Sequence, residues 1–396
     1  MHLNNVRLLL KSVLCGALVA AMAMSAAAAE TESSVASVCP VPEPPAALAT
    51  PPAPESKKDE DKDKLLLPAV PVIAYSRETS LLLGVMMVRA LRWKDAAPET
   101  RPNTLAVSGF YSLEKQWAIG FAPSVYLHGD DYLIKAQIYR HRTPARFWGV
   151  GTEDGEHHDR EDFTATGTGV TFSATKKVYR SLRVGAGVWY GAARIPVKEP
   201  GGLLDTDAVT GSDGGTDIGV EFQAEWDSRD NIYAPTRGDF VQFWAGLHRD
   251  ALGSDFDYED YLLDVRRFIP LGSGHVLALQ AKGRVMGGDP PFYRLPSIGG
   301  ISVMRGLFDG RFRDKSMAAV QAEYRFPIWK SLGGAVFGGA GEVADVPADF
   351  TLQHIQYAGG VGLRLTLDPK ERINLRLDVG FSRFGTFPIV VITEAF

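Results

Sequence analysis

Between residues 68 and 396 apolar and polar residues alternate with a period of two. That is the period of a strand, whose successive side chains point to opposite faces. In 373–383, Ile373, Leu375, Leu377, Val379 and Phe381 are interleaved with Asn374, Arg376, Asp378, Gly380 and Ser382. In 361–368, Val361, Leu363, Leu365 and Leu367 alternate with Gly362, Arg364, Thr366 and Asp368. In 217–227, Ile218, Val220, Phe222, Ala224 and Trp226 alternate with acidic and polar residues. No stretch of this region keeps a helical period. About sixteen such segments can be counted, from 69–76 at one end to 388–396 at the other, with fourteen and eighteen as the neighbouring even counts.

A soluble sandwich alternates in the same way, with its charged face turned to water. Strand length separates the two readings. These segments run to about 9–12 residues, where soluble strands centre on ~5–6 and a bilayer needs ~9–11. The predicted fold class is therefore all-β, a transmembrane antiparallel β-barrel of about 16 strands. An even count puts both ends of the barrel chain on one side. Segments 128–131, 270–273 and 368–372 are expected as short turns on that side. Segments 142–162, 196–214 and 288–316 are expected as long outer loops, and 131–141, 163–177 and 333–340 as strands. Tyr190, Trp226, Phe268 and Tyr324 stand near strand ends, where an interfacial aromatic girdle would lie.

The region before the barrel reads differently. Residues 1–29 carry Arg7 and Lys11, no acidic residue, an apolar run and an alanine tract, the pattern of a signal peptide. Residues 30–67 are Pro-rich and then densely charged, which predicts a disordered periplasmic tether. The outer-membrane β-barrel is assigned to 68–396. Composition changes the picture little. The 396-residue chain has a mean hydropathy of −0.06, which excludes a helical membrane protein but not a barrel, whose two faces average out. A net charge of −5 argues against nucleic acid as a partner, and two cysteines exclude a disulfide scaffold.

The long loop 288–316 and the segment after it carry a recognisable pattern. Gly299, Gly300, Met304, Arg305, Gly306 and Leu307 resemble the GG…(V/M)RG(F/Y) motif in the sixth outer loop of the outer-membrane assembly factor superfamily. That superfamily includes the BamA/TamA proteins, the bacterial surface antigens and the two-partner secretion transporters. Upstream, Asp227, Arg229, Asp230, Asn231, Pro235 and Gly238 are similar to the family's D-x-R-D-N…P…G turn. Phe396 matches its C-terminal barrel signal. The resemblance implies a sixth loop folded into the lumen, with its arginine facing an inward glutamate, here Glu323. It also implies a seam between first and last strands that opens to receive client strands, and prolines 68 and 71 would weaken that seam here. Two departures stand out. Leu307 replaces the family's aromatic, and Gly339 stands where strand thirteen usually has an aspartate. Residues 30–67 are also too short to supply the family's periplasmic polypeptide-binding domains.

Other chemistry is sparse. His157 and His158 lie in an acidic stretch, yet adjacent histidines on an extended chain point apart and suit one metal poorly. Asp255, Asp257, Glu259 and Asp260 read as solvated charge at the surface. No nucleophile elbow, zinc-protease motif or phosphate loop occurs. The expectations are no catalytic residues, no cofactor and no metal. The leading function is insertion or translocation of polypeptide, or of lipid, at the outer membrane of a Gram-negative bacterium. The alternatives are a passive diffusion pore or surface receptor and, third, an outer-membrane hydrolase. Expected partners are outer-membrane lipid, a client polypeptide and a separate periplasmic protein.

Overall fold

A computed structural model describes residues 69–91, 103–392 and 394–396. The expected signal peptide, the tether and Pro68 lie outside the described residues. Sixteen strands form one closed barrel of antiparallel neighbours. They are β1 (Ala69–Ser76), β2 (Ser80–Leu91), β3 (Asn103–Ser112), β4 (Trp117–Leu127), β5 (Tyr132–Phe147), β6 (Glu161–Tyr179), β7 (Leu182–Val197) and β8 (Gly214–Asp227). The second half comprises β9 (Gly238–His248), β10 (Tyr258–Gly272), β11 (His275–Gly288), β12 (Ser316–Trp329), β13 (Leu332–Ala344), β14 (Gln356–Asp368), β15 (Ile373–Ser382) and β16 (Gly385–Ile392).

The alternation becomes two faces. Val361, Leu363, Leu377 and Phe381 are exposed on the outside, the face a bilayer covers. Their neighbours Arg364, Arg376 and Asp378 are buried in the interior. Turns at 128–131 and 369–372 close one end, and the longer connections 148–160, 198–213 and 289–315 gather at the other.

Several strands run past their expected ends. β5 and β6 stay paired out to Phe147 opposite Glu161, so residues 142–147 belong to a strand and not to a loop. One face of this extension packs on the long connecting segment, with Phe147 and Phe163 buried beside Phe292, so the strand is set by partners far along the chain while its hydrogen bonds persist. The acidic stretch that follows is not extended throughout: Thr152–His157 forms a short helix, α1. Phe268 is also not part of an outer girdle. It points inward against Ala278, Ala395 and Phe396.

The last strand is shifted as well. It begins at Gly385 and ends at Ile392, short of the expected 388–396. Glu394, Ala395 and Phe396 turn into the interior instead. The cause is a charge. Glu394 Oε2 lies 2.6 Å from Arg364 Nε, and Glu394 Oε1 accepts a 2.8 Å bond from Asn374 Nδ2. A carboxylate on a continuing lipid-facing strand would have no such partners.

Candidate functional site

The connection 289–315 is the longest between barrel strands and is built as a compact insert. Phe292–Arg294 makes one 3-10 turn, and Ser297–Ile298 pairs with Phe312–Arg313 as a small ribbon. Between the ribbon's arms, Gly299 N donates to Val303 O and Gly300 N to Leu307 O, which closes the motif into a tight loop. Leu307 is buried among Ile298, Val303, Met304, Phe312 and Met317, so an aliphatic residue fills the place of the family's aromatic.

The loop's tip meets the inner wall at β15 through two glycines. Gly306 has φ +129°, and a Cβ there would stand 2.8 Å from Phe381 O. On the strand itself, a Cβ at Gly380 would stand 2.5 Å from Arg305 O. Backbone can touch backbone only because both positions lack side chains. Ser382 Oγ then donates to Gly306 O.

This approach delivers Arg305 into the wall. Its side chain is fully buried, with Nη2 2.5 Å from Glu323 Oε2 and Nη1 2.6 Å from Asp378 Oδ2. Its guanidinium lies 3.6 Å from the centroid of the Phe337 ring. Three more arginines complete the cluster. Arg364 reaches Asp378 at 2.6 Å, Glu394 at 2.6 Å and Glu323 at 3.2 Å. Arg325 reaches Glu323 at 2.6 Å and donates to the carbonyl oxygens of Phe396 and Pro235. Arg376 lies 3.6 Å from Asp378 and donates to Ile301 O in the loop. Four guanidiniums thus share three carboxylates, and loop, wall and chain end are joined in one buried network.

Asp378 is the member that motif reading missed. A side chain at Gly339 would force its neighbours to shift, because a Cβ at that position would sit 2.9 Å from both Met304 Sδ and Val320 O. The second carboxylate comes instead from β15. The visible trace in the sequence was its phase: Asp378 shares the polar register of 373–383 with Asn374 and Arg376.

The turn between β8 and β9 holds the remaining motif residues. Asp227 is bidentate to Arg229, at 3.0 and 2.8 Å. Asn231 Oδ1 accepts the backbone N–H of Tyr233 and Ala234, while its Nδ2 donates to Glu371 O. Gly238 has φ +106°, with no room for a Cβ beside Ser228 O. Tyr233 packs on Ile373, and Asp230 meets Arg372 Nη1 at 2.5 Å. The turn therefore reaches to the β14–β15 turn, and Pro235 touches the arginine network. Burial opposes ionisation of Asp230, but bonds from the Thr236 hydroxyl, Arg372 and the backbone of Thr236 and Arg237 outweigh it and hold its pKa at about 2.

The seam shows a contrast. β1 and β16 meet with Tyr75 opposite Val390. By comparison, β1 and β2 stay in register from Ala69↔Met87 to Ser76↔Ser80. Pro71 in β1 and Pro388 in β16 each lack a ladder donor.

Elsewhere the expected charges are paired internally. His158 Nε2 lies 3.0 Å from Glu161, Asp257 lies 3.0 Å from Arg249, and Glu259 and Asp260 pair with Arg249 and Arg284. Asp255 accepts from Thr216 N at 2.6 Å. Among the described residues no group of three His, Cys, Asp or Glu side chains is placed to hold a metal.

Comparison with known proteins adds three findings. A family model described as an Omp85 superfamily domain matches residues 101–382. Among solved structures, BamA from Haemophilus ducreyi lacking POTRA domains 1–3 is similar over 81% of this chain and 69% of that chain, with 14% identity and a TM-score of 0.59. CdiB from Acinetobacter baumannii (13% identity, TM-score 0.52) and CdiB from Escherichia coli (10% identity, TM-score 0.52) are similar over 82% and 81% of this chain. The matches span 58% and 62% of those two chains. No curated protein sequence matches the chain.

Proposed function

Because the chain belongs to the Omp85 superfamily, we propose that it inserts or translocates polypeptide, or moves lipid, at the outer membrane of a Gram-negative bacterium. The observation that carries this reading is the seam. Among the described residues the first and last strands show one register pair, Tyr75 opposite Val390, where every other neighbouring pair of barrel strands shows eight or more. We take this short pairing as an edge that can open. Such an edge accepts an incoming strand by β-augmentation. Client strands are the proposed substrate, and surrounding lipid and a periplasmic protein supplying clients are the proposed partners.

The arginine network suits this role. It secures β14, β15 and the tail after β16 through side chains, so the seam is able to part without unfolding its flank. The inward loop also occupies space that an open pore would need, which favours assembly over passive diffusion. No bond-making chemistry is assigned to the barrel.

A disulfide between Tyr75→Cys and Val390→Cys tests the proposal. Locking the seam should reproduce the outer-membrane protein or lipid defects of depletion, and reduction should reverse them. A control pair at Val170→Cys and Tyr190→Cys, opposite each other on β6 and β7, should have no effect. If both locked proteins support normal envelope composition, seam opening is not the function. A stable conductance that Arg305→Ala leaves unchanged would favour the pore.

A further inference from the structure

The outward face of β5–β7 changes character near the end where the long connections gather. Farther from those connections it is apolar, with Ile138, Phe172, Val188 and Tyr190 exposed on it. Closer to them it carries Arg140 and Arg142 on β5 and Arg194 on β7. Alternation puts all three on this face: Arg140 and Arg142 follow Ile138 in phase, and Arg194 follows Tyr190. Arg140 and Arg194 are exposed and Arg142 is half-buried.

The register gathers them. Arg142 and Arg194 stand on either side of Thr166 in β6, and Arg140 stands opposite Thr168. Two inter-strand spacings separate Arg142 from Arg194, about 10 Å, and two residues of rise separate it from Arg140, about 7 Å. Long arginine side chains cross such gaps, so the three guanidiniums can converge on one group. Trp117 stands opposite Arg142, and the exposed Tyr111 opposite Trp117. Aromatic residues bordering an apolar band mark the edge of the bilayer.

These cations have no carboxylate partner. Among the described residues, no acidic oxygen lies within 4.0 Å of Arg140, Arg142 or Arg194. Arg142 Nη1 donates to Lys115 O at 3.1 Å, which holds it beside the β3–β4 turn. Acidic residues of neighbouring segments are engaged elsewhere, Asp162 with Arg146 and Arg160, Asp213 with Lys198 and Glu114 with Ser80. Other arginines at this end are neutralised, Arg249 by Asp257 and Glu259 and Arg383 by Glu156.

Clustered cations at headgroup depth are a surface for anionic lipid, and arginine forks match phosphate oxygens. The long connections mark this end as the outer one. The outer leaflet of a Gram-negative outer membrane is lipopolysaccharide, whose lipid A carries phosphates above its acyl chains. We propose that Arg140, Arg142 and Arg194 dock a lipid A phosphate, with the acyl chains lying on Ile138, Phe172 and Val188. The inference rests on the outer-membrane placement of the barrel and is independent of seam opening.

Native mass spectrometry of the folded full chain, released from detergent, tests it. Diphosphoryl lipid A should bind saturably, and phosphatidylglycerol at least tenfold more weakly. Joint replacement Arg140→Gln, Arg142→Gln and Arg194→Gln should weaken lipid A binding at least tenfold. The control set Lys176→Gln, Arg267→Gln and Lys330→Gln, at the opposite rim, should leave it unchanged. Should the triple variant lose its heat-modifiable gel band, Arg140→Gln and Arg194→Gln singly replace it, each weakening binding at least threefold. No saturable lipid A binding, binding that survives the arginine substitutions, or equal affinity for phosphatidylglycerol overturns the proposal. The purified chain holds no client, so this outcome and that of the seam disulfide are read separately.

Discussion

The wall of β5 and β6 and the seam of β1 and β16 solve the same problem by different means. β5 and β6 are paired from Tyr132↔Lys176 to Phe147↔Glu161, so their union rests on backbone. At the seam the register shows Tyr75 opposite Val390, and the neighbouring strands are tied by buried side chains. A ladder is strong because its bonds form together and hard to open for the same reason. Beside the seam, β14, β15 and β16 are laddered too, and the salt-bridge network adds side-chain ties to that backbone pairing. The two regions thus differ in how far backbone pairing runs, one register pair among the described residues at β1–β16 against a continuous register at β5–β6.

Removing Glu323 should widen this contrast most. It faces Arg305, Arg325 and Arg364, and its loss leaves the network's four buried guanidiniums competing for two carboxylates, Asp378 and Glu394. Glu323→Ala is expected to cost about 3–5 kcal/mol. The heat-modifiable gel band should be lost from the variant at lower temperature or denaturant, while an alanine at the paired surface residue Asp162 should leave it unchanged. A charge exchange between Arg305 and Glu323 should not rescue the fold, because an arginine at 323 would face Arg325 and Arg364. Rescue by the exchange would show that the network is not shared as the distances indicate.

A smaller effect should come from restoring the family's aspartate. Gly339→Asp collides with Met304 and should destabilise by about 1–3 kcal/mol, the range for overpacked sites. Adding Met304→Val should recover part of that loss and make Asp378→Asn better tolerated than in the parent. Denaturant midpoints of the four variants measure this. If Gly339→Asp alone is neutral, the relocation of the carboxylate to β15 has another cause.

The smallest effect concerns the turn beneath the lumen. The Asp230 carboxyl titrates at about 2, below the ordinary carboxylate value near ~3.9. A group depressed in the folded state stabilises above its unfolded pKa and loses that contribution as pH falls through the folded one. The Asp230–Arg372 clamp should therefore be complete above about pH 4 and released toward pH 2. Hydrogen exchange at residues 228–237 should rise over that window, and Arg372→Gln should flatten the step. Exchange that does not depend on pH in the parent would rule out a clamp at this turn.

Much of this was legible beforehand. Period-two alternation marks the strands because a lipid-facing residue and a lumen-facing residue must differ in polarity. The glycine and arginine motif marks the loop because close backbone approach demands bare positions. Legibility failed where that polarity rule lapses. Residues 142–147 pack on a segment far along the chain, Phe147 on Phe292, so no local lipid-versus-lumen pattern marks their strand. Phe268 is apolar yet faces the interior, because the inward-turned tail offers it Phe396. Glu394 appeared to sit on the last strand and is instead drawn off it by Arg364.

The sequence by itself pointed to about sixteen strands, with fourteen and eighteen open, to the phase of most faces and to the loop that would carry Arg305, since all three are local consequences of alternation and of glycine placement. Only the tertiary structure decided which carboxylates Arg305 would meet, that Asp378 would replace an aspartate missing from β13, and that residues 394–396 would fold inward. Those outcomes depend on residues far apart in the chain meeting across one lumen. Electrostatics and packing select among partners there, and no pattern along a single strand encodes the choice.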